Sequence, residues 1–416
     1  MKILLPAVLI GCGLSTAINT AFTQNWTHAA TPNHIWVAVA SSADGRKQVA
    51  LSLMWSYYIS TNFGDTWTSN SEPQRGTTIG SWNAIASSAD GNKLVATSVT
   101  SSIWASTNGG LTWLSNNVPG VYAWKSIASS ADGTKLVAVD GGYSPGGGLI
   151  YSSTNSGITW TETSAPRDYW SSIASSADGT RLVAAVGADH KSPFHPLGRI
   201  YTSTNSGEIW EVSDAPSNNW ASIASSADGI RLVAAAMPGY VNNEWTKSAI
   251  YLSTDAGATW TSCTMPELGW QSVAISADGT RMIAASQQGH IYTSTDAGAR
   301  WTSNNVPNQN WFAMTASADG NHLVVAAVTD ASLNPGSMYD AYTSPMPLMK
   351  LTPSGGSLTL AWIVPATNFV LQQKSDLATA GWVTLTNRPR LNLTNLQDEI
   401  TVSPNAANGF FRLKSQ

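Results

Sequence analysis

The chain has 416 residues, with 21 Lys and Arg against 25 Asp and Glu for a formal net charge of -4. Charged residues make up only 11% and form no basic block, which argues against a surface that gains affinity by displacing counterions from phosphates; nucleic acid is not an expected partner. Two cysteines, Cys12 and Cys263, supply neither a disulfide framework nor a Cys-rich metal site, and the six His lack metal-ligand spacing, so no metal and no cofactor are expected.

At the amino end Lys2 precedes an apolar run from Ile3 to Ile10, broken by Pro6 and followed by small residues through Ala17. This pattern predicts a secretory signal peptide over residues 1–21, too short and interrupted for a membrane-spanning helix. A second reading rests on Leu9-Ile10-Gly11-Cys12, which resembles the lipobox of bacterial lipoproteins, with Cys12 as the anchored residue. Both readings place the protein outside the cytoplasm, secreted or on the cell surface, and no other stretch has the roughly 18 apolar residues of a transmembrane helix.

Residues 22–345 repeat themselves. The segment ASSADG or a near variant recurs with its Asp at 44, 90, 132, 178, 228, 278 and 319. Each copy opens with a Trp eight residues earlier, at Trp36, Trp82, Trp124, Trp170, Trp220, Trp270 and Trp311. Four short segments rich in Ile, Val, Tyr, Thr and Trp follow; in the fourth copy they are Trp170–Ser175, Arg181–Ala185, Ile200–Thr204 and Trp210–Val212, separated by turn residues. Four strands per repeat of roughly 40 to 50 residues is the pattern of a propeller blade, so the expectation is an all-β, seven-bladed β-propeller. In the third to sixth copies the last Trp stands ten residues before the next copy's first Trp, as Trp160 does before Trp170, and Trp26 stands ten before Trp36. The seventh copy has no such Trp and runs into Pro345, so residues 25–29 are expected to supply its missing strand and remove two open sheet edges.

Between third and fourth segments lies Ser60-Thr61-Asn62-Phe63-Gly64-Asp65-Thr66-Trp67, echoed at 106–113, 153–160, 203–210, 253–260 and 294–301. It resembles the Asp box, S-x-D-x-G-x-x-W, of the sialidase-like (BNR-type) propellers. That family includes sialidases, xyloglucan-cleaving endoglucanases, sortilin-type receptors and photosystem II assembly-factor propellers. The Asp position is Asp at Asp255 and Asp296 and Asn at Asn62, Asn108, Asn155 and Asn205, either of which offers a side-chain acceptor that closes the turn. These boxes, like the seven Asp-Gly turns, are read as hairpin staples rather than as a ring of sugar or calcium ligands.

The repeats differ in one loop. From the Asp of the Asp-Gly turn to the Asp-box Asn or Asp there are 18 positions in the first, second and sixth copies, 23 in the third and 27 in the fourth and fifth. The surplus lies between second and third strands, on the face expected to carry the connections between blades, where a rigid scaffold displays binding residues. The fourth insert brings Asp189, His190 and Arg199, and the fifth brings Tyr240, Asn243, Glu244 and Trp245, with Arg167 and Tyr169 entering from the preceding connection. These nine are the candidate ligand-binding residues. Trp245 has no counterpart in other repeats, and an aromatic plate beside carboxylate and amide groups suits a sugar ring or a protein hot spot.

Residues 346–416 leave the repeat. Short strands are expected at Lys350–Leu351, Leu358–Ile363, Phe369–Lys374, Trp382–Thr386, Ile400–Val402 and Phe410–Lys414. With Trp362 on an early strand and the ending Phe410-Phe411-Arg412-Leu413, this region resembles a fibronectin type III or immunoglobulin-like sandwich, similar to a C-terminal module of secreted environmental-bacterial proteins.

The family resemblance admits both hydrolases and receptors. A sialidase would need an arginine triad, whereas Arg181, Arg231 and Arg281 occupy one repeated position and are dispersed around the ring; its F-R-I-P motif is absent. A xyloglucanase-like site lies between two propellers, and this chain has one. Paired carboxylates among Asp140, Asp168, Asp189, Glu244 and Asp330 leave a glycoside hydrolase, sialidase-like or xyloglucanase-like, as the alternative. The expectation is a secreted, monomeric, noncatalytic propeller that binds a glycan or a protein and has no catalytic residues.

Overall fold

The computed structural model describes residues 25–342 except 54–55, 72–81, 99–101, 119–122, 143–145, 188–196, 242–243, 308 and 329–335, and residues 349–415 except 355–356, 364–368, 375–382, 386–388, 393–396 and 403–409. The signal and lipobox segments and Asp330 therefore lie outside the described residues. Every described element is a strand, and no helix among them is long and apolar enough to cross a membrane.

Seven four-stranded antiparallel sheets cover residues 25–342 of the described chain. The fourth runs Trp170–Ser175, Leu182–Val186, Ile200–Ser203 and Glu211–Val212, paired in chain order, so the expected segments hold within one residue at most ends and Trp210 stands just before its strand. In the seventh sheet the order is Asn25–His28, Met338–Tyr342, His322–Val328, Asn310–Ala316. Asn25 pairs with Tyr342 and Trp26 with Ala341, so the amino-terminal strand joins the last repeat and leaves neither edge bare.

The core lies between neighbouring sheets. Each first-strand Trp is at most 1% exposed, and rings from third strands meet it edge-on, as in Trp170–Tyr201 at 5.2 Å and Trp220–Tyr251 at 5.1 Å. A Trp so enclosed removes roughly 150 to 250 Å² from water, an upper limit of about 4 to 6 kcal/mol. Second strands are buried along all or nearly all of their length and narrow, as in Leu182-Val183-Ala184-Ala185-Val186, because adjacent sheets sandwich them. Val139 and Ile150 of the third sheet thus pack with Trp170, Ile173 and Ala184 of the fourth.

The Asp-Gly turns form the lower end of the sheets. In the third, Ser130 Oγ donates to Asp132 Oδ1 at 2.6 Å, Thr134 N donates to the same oxygen at 2.9 Å and Lys135 N donates to Ser130 Oγ at 3.0 Å. The Ser–Asp bond recurs in all seven turns. The alanine before each Asp donates its N–H to the next one's carbonyl, from Ala43 through Ala89, Ala131, Ala177, Ala227, Ala277 and Ala318 back to Ala43, at 2.7 to 2.8 Å. Their methyls pack as one cluster, so backbone hydrogen bonds close a ring and side chains fill its centre.

The Asp boxes sit at the same end. Gly157 N donates to Ser153 Oγ at 3.0 Å, Thr159 N to Asn155 Oδ1 at 3.0 Å, and Trp160 Nε1 to Gly157 O at 3.2 Å. The acceptor of each box is therefore consumed inside its own hairpin.

In the tail, Lys350–Ser354, Ser357–Ile363, Gln397–Val402 and Arg390–Asn392 form one sheet, and Val383–Thr384, Phe369–Lys374 and Phe410–Ser415 a second. Leu360, Trp362 and Ile400 of the first bury against Leu371 of the second. The strand Arg390–Asn392 was not expected from sequence, and Trp382 lies outside the described residues.

Candidate functional site

The upper end of the sheets holds a cavity of about 740 Å³ on the ring axis. Its wall is made by the beginnings of the seven first strands, and none of the ring-closing alanines lines it, since they lie past the other ends of those strands. The axis is thus closed below by packed methyls, and the cavity is bordered above by the starts of the second-to-third-strand loops at Gly141, Gly187 and Met237.

One local device sets unlike residues around this cavity. All seven first strands shift register between the Trp and the residue two places on, a β-bulge that leaves the intervening residue without a ladder partner. The bulged residues are Val37, Asn83, Lys125, Ser171, Ala221, Gln271 and Phe312, and every one lines the cavity. No two are alike, although the Trp before them never changes. Lys125 is the one charged side chain of the lining among the described residues, and Phe312 is 40% exposed. The next residues round the ring are small, and three of them bind neighbouring sheets together: Ser126, Ser172 and Ser222 accept from Ile173 N, Ile223 N and Val273 N at 3.3, 3.1 and 3.3 Å.

The sequence-expected residues divide around this cavity. Tyr169, half-buried, lines it and packs on the core between third and fourth sheets. Arg167 is exposed and lies, with Lys125, close enough to act on the carboxyl of Asp140. Burial raises the Asp140 pKa, against a hydrogen bond from Gly142 N at 3.0 Å and the pull of Arg167 and Lys125. Arg199 is exposed and, with Asp168, acts on Tyr201, whose hydroxyl is raised first by burial, then by Asp168, against Arg199. Tyr240 and Glu244–Trp245 form a hairpin in which Tyr240 pairs with Trp245. Its base is fixed by Gly239 N donating to Thr246 Oγ1 at 2.7 Å and Asn219 Nδ2 to Pro238 O at 3.1 Å, directly beyond the cavity residue Met237. A Cβ at Gly239 would lie 3.0 Å from Leu197, so the fourth insert's end abuts the fifth insert's base. Asp189, His190 and Asn243 lie outside the described residues.

Of the carboxylates considered for catalysis, Asp140 accepts from Gly142 N, and Asp168 Oδ1 accepts from Tyr169 N at 2.9 Å. Both shape local backbone. Among the described residues no three His, Cys, Asp or Glu side chains gather to hold a metal. The bulged ring was missed from sequence. Its signal was available: one unrepeated position inside an otherwise repeated strand.

No protein-family model matches the chain, and no curated protein sequence matches it. Among solved structures it is similar to one described as YCF48 bound to D1 peptide, with 13% identity over 78% of this chain and 97% of that one and a TM-score of 0.56. It is also similar to YCF48 from Cyanidioschyzon merolae, with 13% identity over 76% and 98% and a TM-score of 0.57. The shared feature is the fold: the chain contains a β-propeller.

Proposed function

We propose that the protein is a secreted or cell-surface, noncatalytic binding module: a seven-bladed Asp-box propeller over residues 22–345, preceded by a signal segment and followed by a fibronectin III/Ig-like sandwich over 346–416. The hydrogen-bonded ring of seven alanines and the box geometry support the propeller type, and the two packed sheets of the tail support the sandwich. Its ligand is a protein segment that enters the axial cavity and extends over the inserts of the fourth and fifth blades.

The observation that carries this reading is the bulged ring: seven dissimilar residues lining one cavity, with a single cation, two amides and an exposed aromatic among them. Side chains of that mixture recognise a peptide by hydrogen bonding, apolar contact and charge together. The similar structure described as YCF48 bound to D1 peptide agrees with a peptide as the ligand of a propeller. The engagement of Asp140 and Asp168 by backbone N–H groups favours binding over hydrolysis.

The test is to pan the mature monomeric protein against a random-peptide library and a glycan array in parallel, with Lys125→Ala as the counter-sample. Peptides retained by the wild type and lost by the variant support the reading. Glycan binding alone, or peptides held equally by both proteins, overturns it.

A further inference from the structure

The junctions between neighbouring sheets at the lower end follow one design. The side chain three places after each turn Asp lies across the next sheet's turn glycine: Lys47 on Gly91, Lys93 on Gly133, Lys135 on Gly179, Arg181 on Gly229, Arg231 on Gly279 and Arg281 on Gly320. At the last junction, where the seventh sheet meets the first, His322 takes this place, and a Cβ at Gly45 would be 2.9 Å from its Nδ1. A permanent cation is thereby replaced by a titratable ring.

Two further replacements meet there. Second strands begin with Leu94, Leu136, Leu182, Leu232 and Met282 in other sheets, but with Gln48 in the first, fully buried, its Nε2 3.0 Å from His322 Nδ1 and 3.1 Å from Gly45 O. The third-strand side chain that lies against the next sheet's Asp-box glycine is Ile59, Ala105, Thr202 or Leu252 elsewhere. Here it is Asp340, and a Cβ at Gly64 would be 2.7 Å from its Oδ1. Asp340 is 7% and His322 2% exposed, Asp340 Oδ1 has no hydrogen-bond partner among the described residues, and it lies 3.7 Å from His322 Nε2. Asp44 and Asp65 of the first sheet's turns face the pair, and Asp319 belongs to His322's own turn beside Arg281.

We propose that His322 and Asp340 form a one-proton clasp on the closing junction of the ring: together they hold a single proton when the junction is shut, as they do when it opens, so closure is insensitive to pH where either residue alone would make it pH-dependent. The proton count follows from each group's environment. Burial, then the Asp65 charge, raises Asp340 from 3.8 to about 7. Burial lowers His322 from 6.5 to about 4 against the opposing effects of the Gly45 backbone, Asp65 and Asp44. Shut, the pair holds its proton from about 4 to about 7, chiefly on Asp340. Opened, it returns to ordinary values and holds one proton, on His322, between 3.8 and 6.5. Equal proton numbers on the pair in both states mean that it adds no pH slope. Asp319, raised by burial to about 6, is bonded inside its own turn by Ser317 and Asn321 and meets Arg281 at the preceding junction, so opening the junction between seventh and first sheets leaves its proton where it was.

Single variants must break the balance in opposite directions. With Asp340→Thr, the residue found at Thr202, only the lowered His322 remains; its folded form prefers to be neutral, so closure strengthens as pH rises from about 4 to 6.5. With His322→Gln only the raised Asp340 remains, and closure weakens as pH rises from 3.8 to about 7. The measurement is amide hydrogen exchange of residues 25–28 and 339–342 in the full chain, corrected for intrinsic rates, across the window between those values. The wild type should change less than about threefold, whereas protection in Asp340→Thr should rise and in His322→Gln fall by about tenfold per pH unit. A steep wild-type profile, or a flat profile in Asp340→Thr, overturns the proposal; should His322→Gln fail to fold, the other two profiles decide it.

Discussion

At the lower end of every sheet the same residues recur in the same bonds, whereas at the upper end the residue after each Trp differs in all seven. Ser130–Asp132 and its six equivalents, the alanine ring and the Ser153–Asn155 type of box repeat because each sheet needs the same turns. Val37, Asn83, Lys125, Ser171, Ala221, Gln271 and Phe312 occupy one structural position, and no two are the same residue. Repetition around a ring marks what folding requires, and departure from it marks what a ligand or a junction requires. His322, Gln48 and Asp340 extend the lesson to the lower end, where the departures coincide at the one junction between the last and the first repeat.

The comparison breaks most readily at the repeated tryptophans. Trp220 is fully enclosed between third-strand and Asp-box rings, 5.1 Å from Tyr251 and 6.4 Å from Trp260. Trp220→Ala is expected to lose about 3 to 5 kcal/mol of unfolding free energy in urea, the range for emptying a buried aromatic site. A loss under about 1 kcal/mol would mean that the core between sheets is loose enough to collapse around the gap.

The unrepeated position should behave oppositely. Lys125→Ala, exposed and at the cavity wall, should leave stability within about 0.5 kcal/mol yet weaken a cavity-bound peptide by about 1 to 3 kcal/mol. Titration calorimetry against a peptide from the panning experiment, beside a urea melt of the same protein, reads the two quantities. Trp245→Ala, on the hairpin of the fifth insert, should cost about 2 kcal/mol of affinity if the peptide reaches that loop. Loss in one variant but not the other would assign the ligand to cavity or insert.

How much of this was legible before the structure follows from the same contrast. The ten-residue step from Trp26 to Trp36 announced the pairing of Asn25–His28 with Met338–Tyr342, because a repeat fixes where its own missing piece must come from. The geometry of the bulge was not legible, since it changes register without changing the spacing of Trp170 and Asp178; only its position was marked, by the one unrepeated residue of each first strand. The cavity is likewise assembled from single residues some forty to fifty positions apart, each ordinary when taken alone. Conversely, length drew attention to the inserts, whereas Arg167 owes its place to the neighbouring Asp140, and Tyr169 to the core between third and fourth sheets, neither of which spacing reveals.

Among the lower turns, the carboxylates should prove structural. For Asp132 burial opposes ionisation, but bonds from Ser130 and Thr134 and the charge of Lys93 outweigh it and hold the pKa below its ordinary value. A lowered folded value contributes stability above the ordinary pKa that is lost as pH falls through the folded one. The advantage of wild type over Asp132→Asn, about 1 kcal/mol or less near neutrality, should therefore shrink as pH falls through the ordinary value of 3.8 and below it. Calcium should leave both melting curves unchanged; a calcium shift abolished by the substitution would turn a turn residue into a ligand.

The smallest expected effect tests whether the repeat is optimal even where it is repeated. The Asp-box position before the glycine is held at positive φ by the hairpin, with Ala256 at 59° and Ala297 at 58°, while the second repeat carries Gly109 there at 68°. A side chain in that conformation costs about 1 to 2 kcal/mol, and glycine loses about 0.5 to 1 kcal/mol more chain entropy on folding, so the two nearly offset. Ala256→Gly or Ala297→Gly should each stabilise by about 0.5 kcal/mol, and the double variant by about 1 kcal/mol, because the sites lie in different sheets and share no bond. Chemical denaturation resolves the double variant. Destabilisation would mean that the methyl groups pack usefully against the neighbouring turn, and that the alanines are retained for contact rather than tolerated for want of glycine.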